Sequence, residues 1–361
     1  MKRTLIFGPV VWALCSAYLP AQEANSGLDL RETLSGQFAA SDVFTQAPRS
    51  GVPVGVGFRS DTYPTWKFSD HWTLTGAWQL NSRPYFNQDY SNAGNGVNGN
   101  ILQASLNYSR VSDKGSLMIR AGQLSTAFGS FLLRYDDAEN PVVDLPMEYG
   151  YYDAPISNLS VAGAEIDGTR GKWDGRVQIA NSSPANPRSL FEHDQYGNWA
   201  GGGGYTIRQG LRIGVSGYRG PYLDRKDEDF MPGEVNPSTL PAHALGLDAS
   251  WSRGHWTVLG ELQKFVMPYT VIPVLREQAG YAEFKRVLSP RWYVAGRVGY
   301  ISGDGSSKVQ SYEGAAGFRP NRFQLIKIDY EHQHYSVGPY MNENTLAVQY
   351  VTTLHLAIAR N

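Results

Sequence analysis

The chain has 361 residues and nearly balanced charge, 32 Lys and Arg against 33 Asp and Glu, for a formal net charge of −1. That balance gives no electrostatic reason to expect nucleic acid as a partner. A mean hydropathy of −0.36 excludes a bundle of apolar membrane helices.

The chain begins as a secretory signal does. Lys2 and Arg3 supply the charged end, residues 5–19 are mostly apolar, and small residues follow at Cys15-Ser16-Ala17 and Leu19-Pro20-Ala21. Residues 1–21 are therefore expected to be a signal peptide, cut after Ala17 or Ala21. The apolar run is too short for a spanning helix and contains Pro9. Cys15 is the only cysteine and leaves with the signal; bulky Trp12 and Leu14 precede it, against a lipoprotein site. The mature chain, 22–361, then has no disulfide and no thiol nucleophile.

From residue 33 onward the pattern has period two, the signature of half-buried strands. Sixteen segments carry it: 33–44, 53–67, 71–82, 100–111, 116–124, 156–168, 172–182, 199–207, 211–219, 243–252, 256–266, 277–287, 291–301, 308–319, 322–334 and 345–358. Tight turns alternate with long connections. Among the turns are Phe68-Ser69-Asp70-His71, Ser112-Asp113-Lys114-Gly115, Ile207-Arg208-Gln209-Gly210 and Leu288-Ser289-Pro290-Arg291. Aromatics gather beside the turns, at Trp66, Trp72, Trp173, Trp256, Trp292 and Phe323. The long connections fall at 45–52, 83–99, 125–155, 183–198, 220–242, 267–276, 302–307 and 335–344, with 92–99 a glycine-rich, flexible example.

Segments of about ten alternating residues, short turns on one side, long loops on the other and an aromatic ring at turn level form the pattern of a bacterial outer-membrane barrel. The expected fold is all-β: one transmembrane antiparallel β-barrel of sixteen strands, with both termini on the periplasmic side and the long loops outside the cell. The parity places Trp72, Leu74, Trp78 and Leu80 on one face of their strand and Thr73, Thr75, Gln79 and Asn81 on the other. In a barrel the apolar face meets lipid and the polar face lines water. A soluble β-sandwich would instead bury the apolar face. The charges on the polar face are too many for a dry core.

The third long connection reads STAFGSFLLRYDDAENPVVDLPMEYGYYDAP over 125–155. Its mixture of Phe128, Phe131, Leu132, Leu133, Val142 and Val143 with charged residues predicts that it packs on something. Folded into the barrel, it narrows the lumen, and Arg134, Asp136, Asp137, Glu139 and Asp144 then set a constriction, with Arg120 and Arg176 on the facing wall. The plainer alternative is an external loop packed on its neighbours. On the constriction reading, replacing Asp136 and Asp137 with asparagine shifts ion selectivity toward anions.

The stretch Ile119-Arg120-Ala121-Gly122-Gln123-Leu124-Ser125-Thr126-Ala127-Phe128-Gly129 is similar to the glycine–glutamine, then phenylalanine–glycine segment of the phosphate-selective porin family. In that family the segment ends a strand and opens the constriction loop. The resemblance implies a homotrimeric channel for small hydrophilic solutes. Two features depart from the family. Its pore carries a basic ladder, whereas the polar face here holds Arg120, Arg176, Arg212, Lys285, Arg297 and Lys327 together with Glu165, Asp167, Asp174, Asp248, Glu261, Glu283, Glu313, Asp329 and Glu331. Acidic rings favour cations and basic rings anions, so this mixed wall argues against phosphate selectivity. Barrel precursors also commonly end in an aromatic residue, and this chain ends Ala359-Arg360-Asn361.

An alternative is a barrel enzyme of the protease or lipase type with a rim active site, drawn from Ser302, Asp304 and Ser336 near His332 and His334. No nucleophile-elbow sequence supports it, and a metal on the two histidines needs a third ligand. The run of Gly201, Gly202, Gly203 and Gly204 is followed by neither lysine nor helix, so it is no phosphate loop. The sequence thus predicts an outer-membrane porin that admits small hydrophilic solutes or ions by passive diffusion. It is expected to be no enzyme, to need no cofactor or metal, and to contact only solute, lipid and its own copies.

Overall fold

The computed structural model describes residues 27–42, 54–83, 96–149, 160–181, 197–221, 239–270, 273–304, 308–337 and 342–359. The expected signal at 1–21 and the connection at 45–52 lie outside the described residues.

The described residues form sixteen strands: β1 Gly27–Ser41, β2 Val54–Lys67, β3 Trp72–Arg83, β4 Gly96–Ser112, β5 Gly115–Leu124, β6 Val161–Arg170, β7 Trp173–Asn181, β8 Gly197–Arg208, β9 Leu211–Gly220, β10 Ala242–Arg253, β11 Trp256–Met267, β12 Leu275–Val287, β13 Trp292–Gly303, β14 Val309–Asn321, β15 Gln324–Tyr335 and β16 Asn342–Ala359. Each pairs antiparallel with its sequence neighbour. β1 closes the ring on β16 through an unbroken register from Gly27–Ala359 to Ser41–Thr345. Closure leaves no strand edge to attract another chain.

Each of the sixteen sequence segments coincides with a strand. The differences lie at the ends. β1 starts six residues before the expected 33, because Glu32 interrupts the apolar series Leu28, Leu30, Leu34 on one face. Gly96 to Gly99, expected in a flexible loop, pair with Leu80 to Arg83 of β3. Glycine weakens a strand without blocking its ladder. β6 starts at Val161 rather than 156. The tight turns stand where the sequence places them. At Gly210 φ is +80°, a left-handed conformation that glycine adopts without steric cost.

The register sorts the side chains into two faces. Along β10, Leu245 and Leu247 are more than half exposed; along β11, Leu262 is 64% exposed. Their neighbours on the other face, Glu261, Gln263 and Phe265, are buried. The same inversion runs round most of the ring: the apolar face is open and the polar face largely covered. What covers the polar face over much of the barrel is residues 125–149, the described part of the connection between β5 and β6. It carries a short 3-10 turn at Phe131–Arg134 and packs Phe128 and Met147 with Phe265, Ala279 and Ile301 of the wall.

Candidate functional site

The crossing segment, 125–149, is laid on the polar face by a chain of specific bonds. At its start the Gln178 side chain grips the backbone twice, accepting from Ala127 N at 3.0 Å and donating to Ser125 O at 2.8 Å. Phe128 is fully buried and meets Phe265 edge-on with ring centres 5.9 Å apart. Gly129 has φ +74°; its amide donates to Ser216 Oγ at 3.2 Å, and its carbonyl accepts from the Arg176 guanidinium. The amide and hydroxyl of Ser130 donate to the Glu261 carboxylate at 3.0 and 2.9 Å. The Tyr149 hydroxyl accepts from Ser130 N, Phe131 N and Gln263 Nε2, so both ends of the segment meet at one phenol. The glycine–glutamine and phenylalanine–glycine motif of the sequence is thus the end of β5 and the first anchor of the crossing.

Further along, Arg134 donates to Glu283 and to the Tyr281 hydroxyl, each at 2.9 Å. Asp136 accepts from Thr33 Oγ1 at 2.9 Å and pairs with Arg31 at 3.4 Å. Asp137 is clamped by Arg59, with contacts of 2.5 and 3.1 Å, and both side chains are about 1% exposed. Lys327, fully buried, donates to three backbone carbonyls of the segment, those of Asp137, Asn140 and Val142, at 2.9 to 3.0 Å. The Asp144 amide donates to Glu313 at 3.2 Å and its carbonyl accepts from Arg297 at 2.8 Å. Tyr293 donates to Pro141 O at 3.0 Å.

This geometry divides the expected site residues. Asp136, Asp137 and Asp144 are buried and tied to the wall; Arg134 is half-buried and ion-paired; Glu139 is exposed. Arg134, Asp136 and Asp137 are fastened through their side chains and Asp144 through its backbone, while its carboxylate accepts from Leu145 N at 2.8 Å; of the five loop residues only Glu139 presents an open charge. Burial and the neighbouring Glu331 push the Asp144 carboxyl well above its ordinary range. Burial, with Glu261 nearby, does the same to Glu148, whose two carboxylate oxygens find no partner on another described residue. The sequence reading counts Glu148 among the charges of the loop without giving it a role, and overlooks Arg59, Arg31 and Tyr149. Arg59 had a legible signal, since it shares the polar parity of β2 with Asp61 and Tyr63; Tyr149 had none, because nothing local marks a loop tyrosine as an anchor.

Beside Gly129 and Ser130 the polar face stays open. A cavity of about 380 Å³ lies there against β5 to β10. Both expected wall arginines line it. Arg120 pairs with Glu165 at 3.0 Å and with Asp167; Arg176 reaches the loop carbonyl. Arg212 lies flat on the wall, donating twice to Asp174 at 2.6 and 2.7 Å and once to Asp248 at 2.5 Å. Gly204 and Gly214 leave it the room, for a Cβ on either would collide with the guanidinium or its aspartate.

The rim histidines belong to the other face. His332 and His334 contact Asn344 and Asn342 at 2.9 and 2.8 Å through Nδ1, and Ser336 Oγ accepts from Lys308 N. Among the described residues, no group of three or more His, Cys, Asp or Glu is placed to hold a metal ion.

The barrel resembles solved bacterial outer-membrane structures. It matches the anion-selective porin from Comamonas acidovorans with a TM-score of 0.61 at 12% identity, covering 91% of this chain and 100% of that one. For OprB of Pseudomonas putida at high pH the TM-score is 0.62 at 9% identity, with 91% and 94% covered. For the trimer form of in-vitro folded OmpT, an outer membrane protein of Vibrio cholerae, the TM-score is 0.59 at 9% identity, with 91% and 99% covered. These likenesses establish the fold, a closed sixteen-strand antiparallel barrel. No protein-family model matches the sequence, and no curated protein matches it.

Proposed function

We propose that the chain is an outer-membrane porin, a water-filled passage for small hydrophilic solutes, with segment 125–149 folded into the lumen as its constriction. The observation that carries this reading is the span of that segment. It is bonded to Thr33 of β1 and Arg59 of β2 on one side of the ring, and through Gly129 to Ser216 of β9, which stands opposite β1. A segment tied to opposite walls of a closed barrel narrows whatever passes through it. The exposed apolar face supports a lipid surround, and the N-terminal sequence supports export. The passage then runs along β5 to β10, where Arg120, Arg176 and Arg212 alternate with Asp167, Asp174 and Asp248. The loop carboxylates hold the constriction in shape, and Glu139 faces the water. The likeness of 119–129 to the phosphate-selective porin family remains, on a wall that lacks that family's basic ladder.

The test is single-channel conductance of the detergent-folded protein in a planar bilayer under a salt gradient. Stepwise ohmic openings with weak ion selectivity are expected. Silence from protein shown to be folded and inserted overturns the reading.

A homotrimer is part of the proposal. On the apolar face of β1 and β2, Glu32 accepts from Ser60 Oγ at 2.6 Å and Thr62 Oγ1 at 3.1 Å. A carboxylate there is costly against lipid and is relieved if a second copy covers it. Chemical cross-linking is expected to trap trimers of the wild type and to lose them on Glu32→Arg.

A further inference from the structure

The cavity beside Gly129 holds a charge arrangement that the channel reading leaves unused. Two of its arginines are neutralised in place: Arg120 by Glu165 and Asp167, Arg212 by Asp174 and Asp248. Arg176 is different. Among the described residues its hydrogen bond is to the Gly129 carbonyl and no carboxylate forms an ion pair with it, Glu165 acting on its charge only from beyond contact. A half-buried guanidinium therefore keeps its positive charge and further donors toward the cavity.

Aspartates flank it on two sides. Asp167 is its register partner on β6, and Asp174 lies two residues away on the same face of β7, about 7 Å along the strand. Both stay partly open to the cavity, at 27% and 32% side-chain exposure, so each keeps acceptor capacity beyond its arginine. Gly202 and Gly203 form a floor without side chains, and Ser216 Oγ, which accepts from Gly129 N, has its own proton to donate.

A simple anion meets Arg176 but also a wall on which three arginines face four carboxylates. A simple cation meets the aspartates but also the Arg176 guanidinium, which no carboxylate contacts. A solute with both charges a few bonds apart satisfies both. We propose that this cavity is a binding station for small zwitterions of the α-amino-acid type, the solute carboxylate on Arg176 and its ammonium group against Asp167 or Asp174. This rests on the channel reading, because the station lies on the proposed passage.

The test is open-channel current with added L-alanine, acetate, methylammonium or inorganic phosphate. In the wild type, alanine is expected to interrupt the current at concentrations at least tenfold below the other three. Arg176→Gln raises the blocking concentration of alanine tenfold or more. Asp174→Asn, which removes one of the flanking carboxylates and leaves Arg212 only Asp248 as its ion-pair partner, weakens alanine and strengthens phosphate, reversing their order. Phosphate or acetate blocking the wild type more strongly than alanine overturns the proposal, even if Arg176→Gln fails to fold. Normal conductance with no alanine effect also overturns it while leaving the porin reading intact. Inserted protein without conductance removes both.

Discussion

Gly129 shows how one residue positions a whole segment. Its φ of +74° is open to glycine and strained for alanine. A Cβ there would also meet the Tyr149 hydroxyl, Glu261 Oε1 at 2.7 Å and Gln263 Nε2 at 2.9 Å, the three groups that join the ends of the crossing. Gly129→Ala is expected to weaken the seat by about 1–3 kcal/mol from backbone strain, read as faster trypsin cleavage after Arg134 in the inserted barrel. Asp137 makes the complementary case. Sequence reasoning gave it a charge facing the solute; the structure closes it against Arg59 with both side chains about 1% exposed. Asp137→Asn leaves the buried Arg59 guanidinium with Asp61, at 3.2 Å, as its remaining carboxylate, a loss of about 1.5–3 kcal/mol, the worth of a hydrogen bond between charged groups. Its first effect is expected to be a released segment, seen by the same cleavage. A shifted reversal potential with protection unchanged would return Asp137 to the passage. The charges of this loop were legible in the sequence because charge is a property of the residue. Their partners were not, since Arg59 and Asp137 are 78 positions apart and only the closed ring brings them together.

The crossing segment as an element is seated on a carboxylate-rich bed. Glu148 is wholly buried without a partner on another described residue, and Asp144 shares its surroundings with Glu313, Asp329 and Glu331. Burial raises both loop carboxyls above their ordinary values of 4.5 and 3.8. The seated segment therefore holds protons that a released one gives up. By linkage, seating is strongest below the ordinary carboxylate range and weakens as pH rises from about 4 toward the raised values. Each such group contributes a slope of up to about 1.4 kcal/mol per pH unit. Open-channel current noise is expected to grow between pH 4 and the raised values. Glu148→Gln, which needs no proton, should flatten that growth, and noise that falls with rising pH would contradict the account. That this segment packs on something was legible in its apolar content, Phe128, Phe131, Val142 and Val143, which are all buried.

At the scale of the molecule, period two made the architecture legible. One apolar face per strand and short turns on one side predict one run of antiparallel neighbours, and the charges Arg120, Glu165, Arg176, Arg212, Glu283, Arg297 and Lys327 fall on the face their parity assigns. What parity cannot encode is which face meets water, because a sandwich core and a lipid-facing wall share the same alternation. Leu262 decides between them. It stands halfway along β11 on the apolar face and is 64% exposed. If that face meets water, Leu262→Arg is a surface exchange within about 0.5 kcal/mol of neutral. If it meets lipid, the arginine sits near mid-membrane and costs about 2–4 kcal/mol. Reversible urea unfolding of the barrel in phospholipid vesicles separates the two. The expected result is the larger loss for Leu262→Arg and a small one for Arg253→Leu, at the turn end of β10, where the strand leaves the apolar band. Equal, negligible effects at both positions would mean that the open face of this barrel is wetted, and the passage would have no membrane to cross.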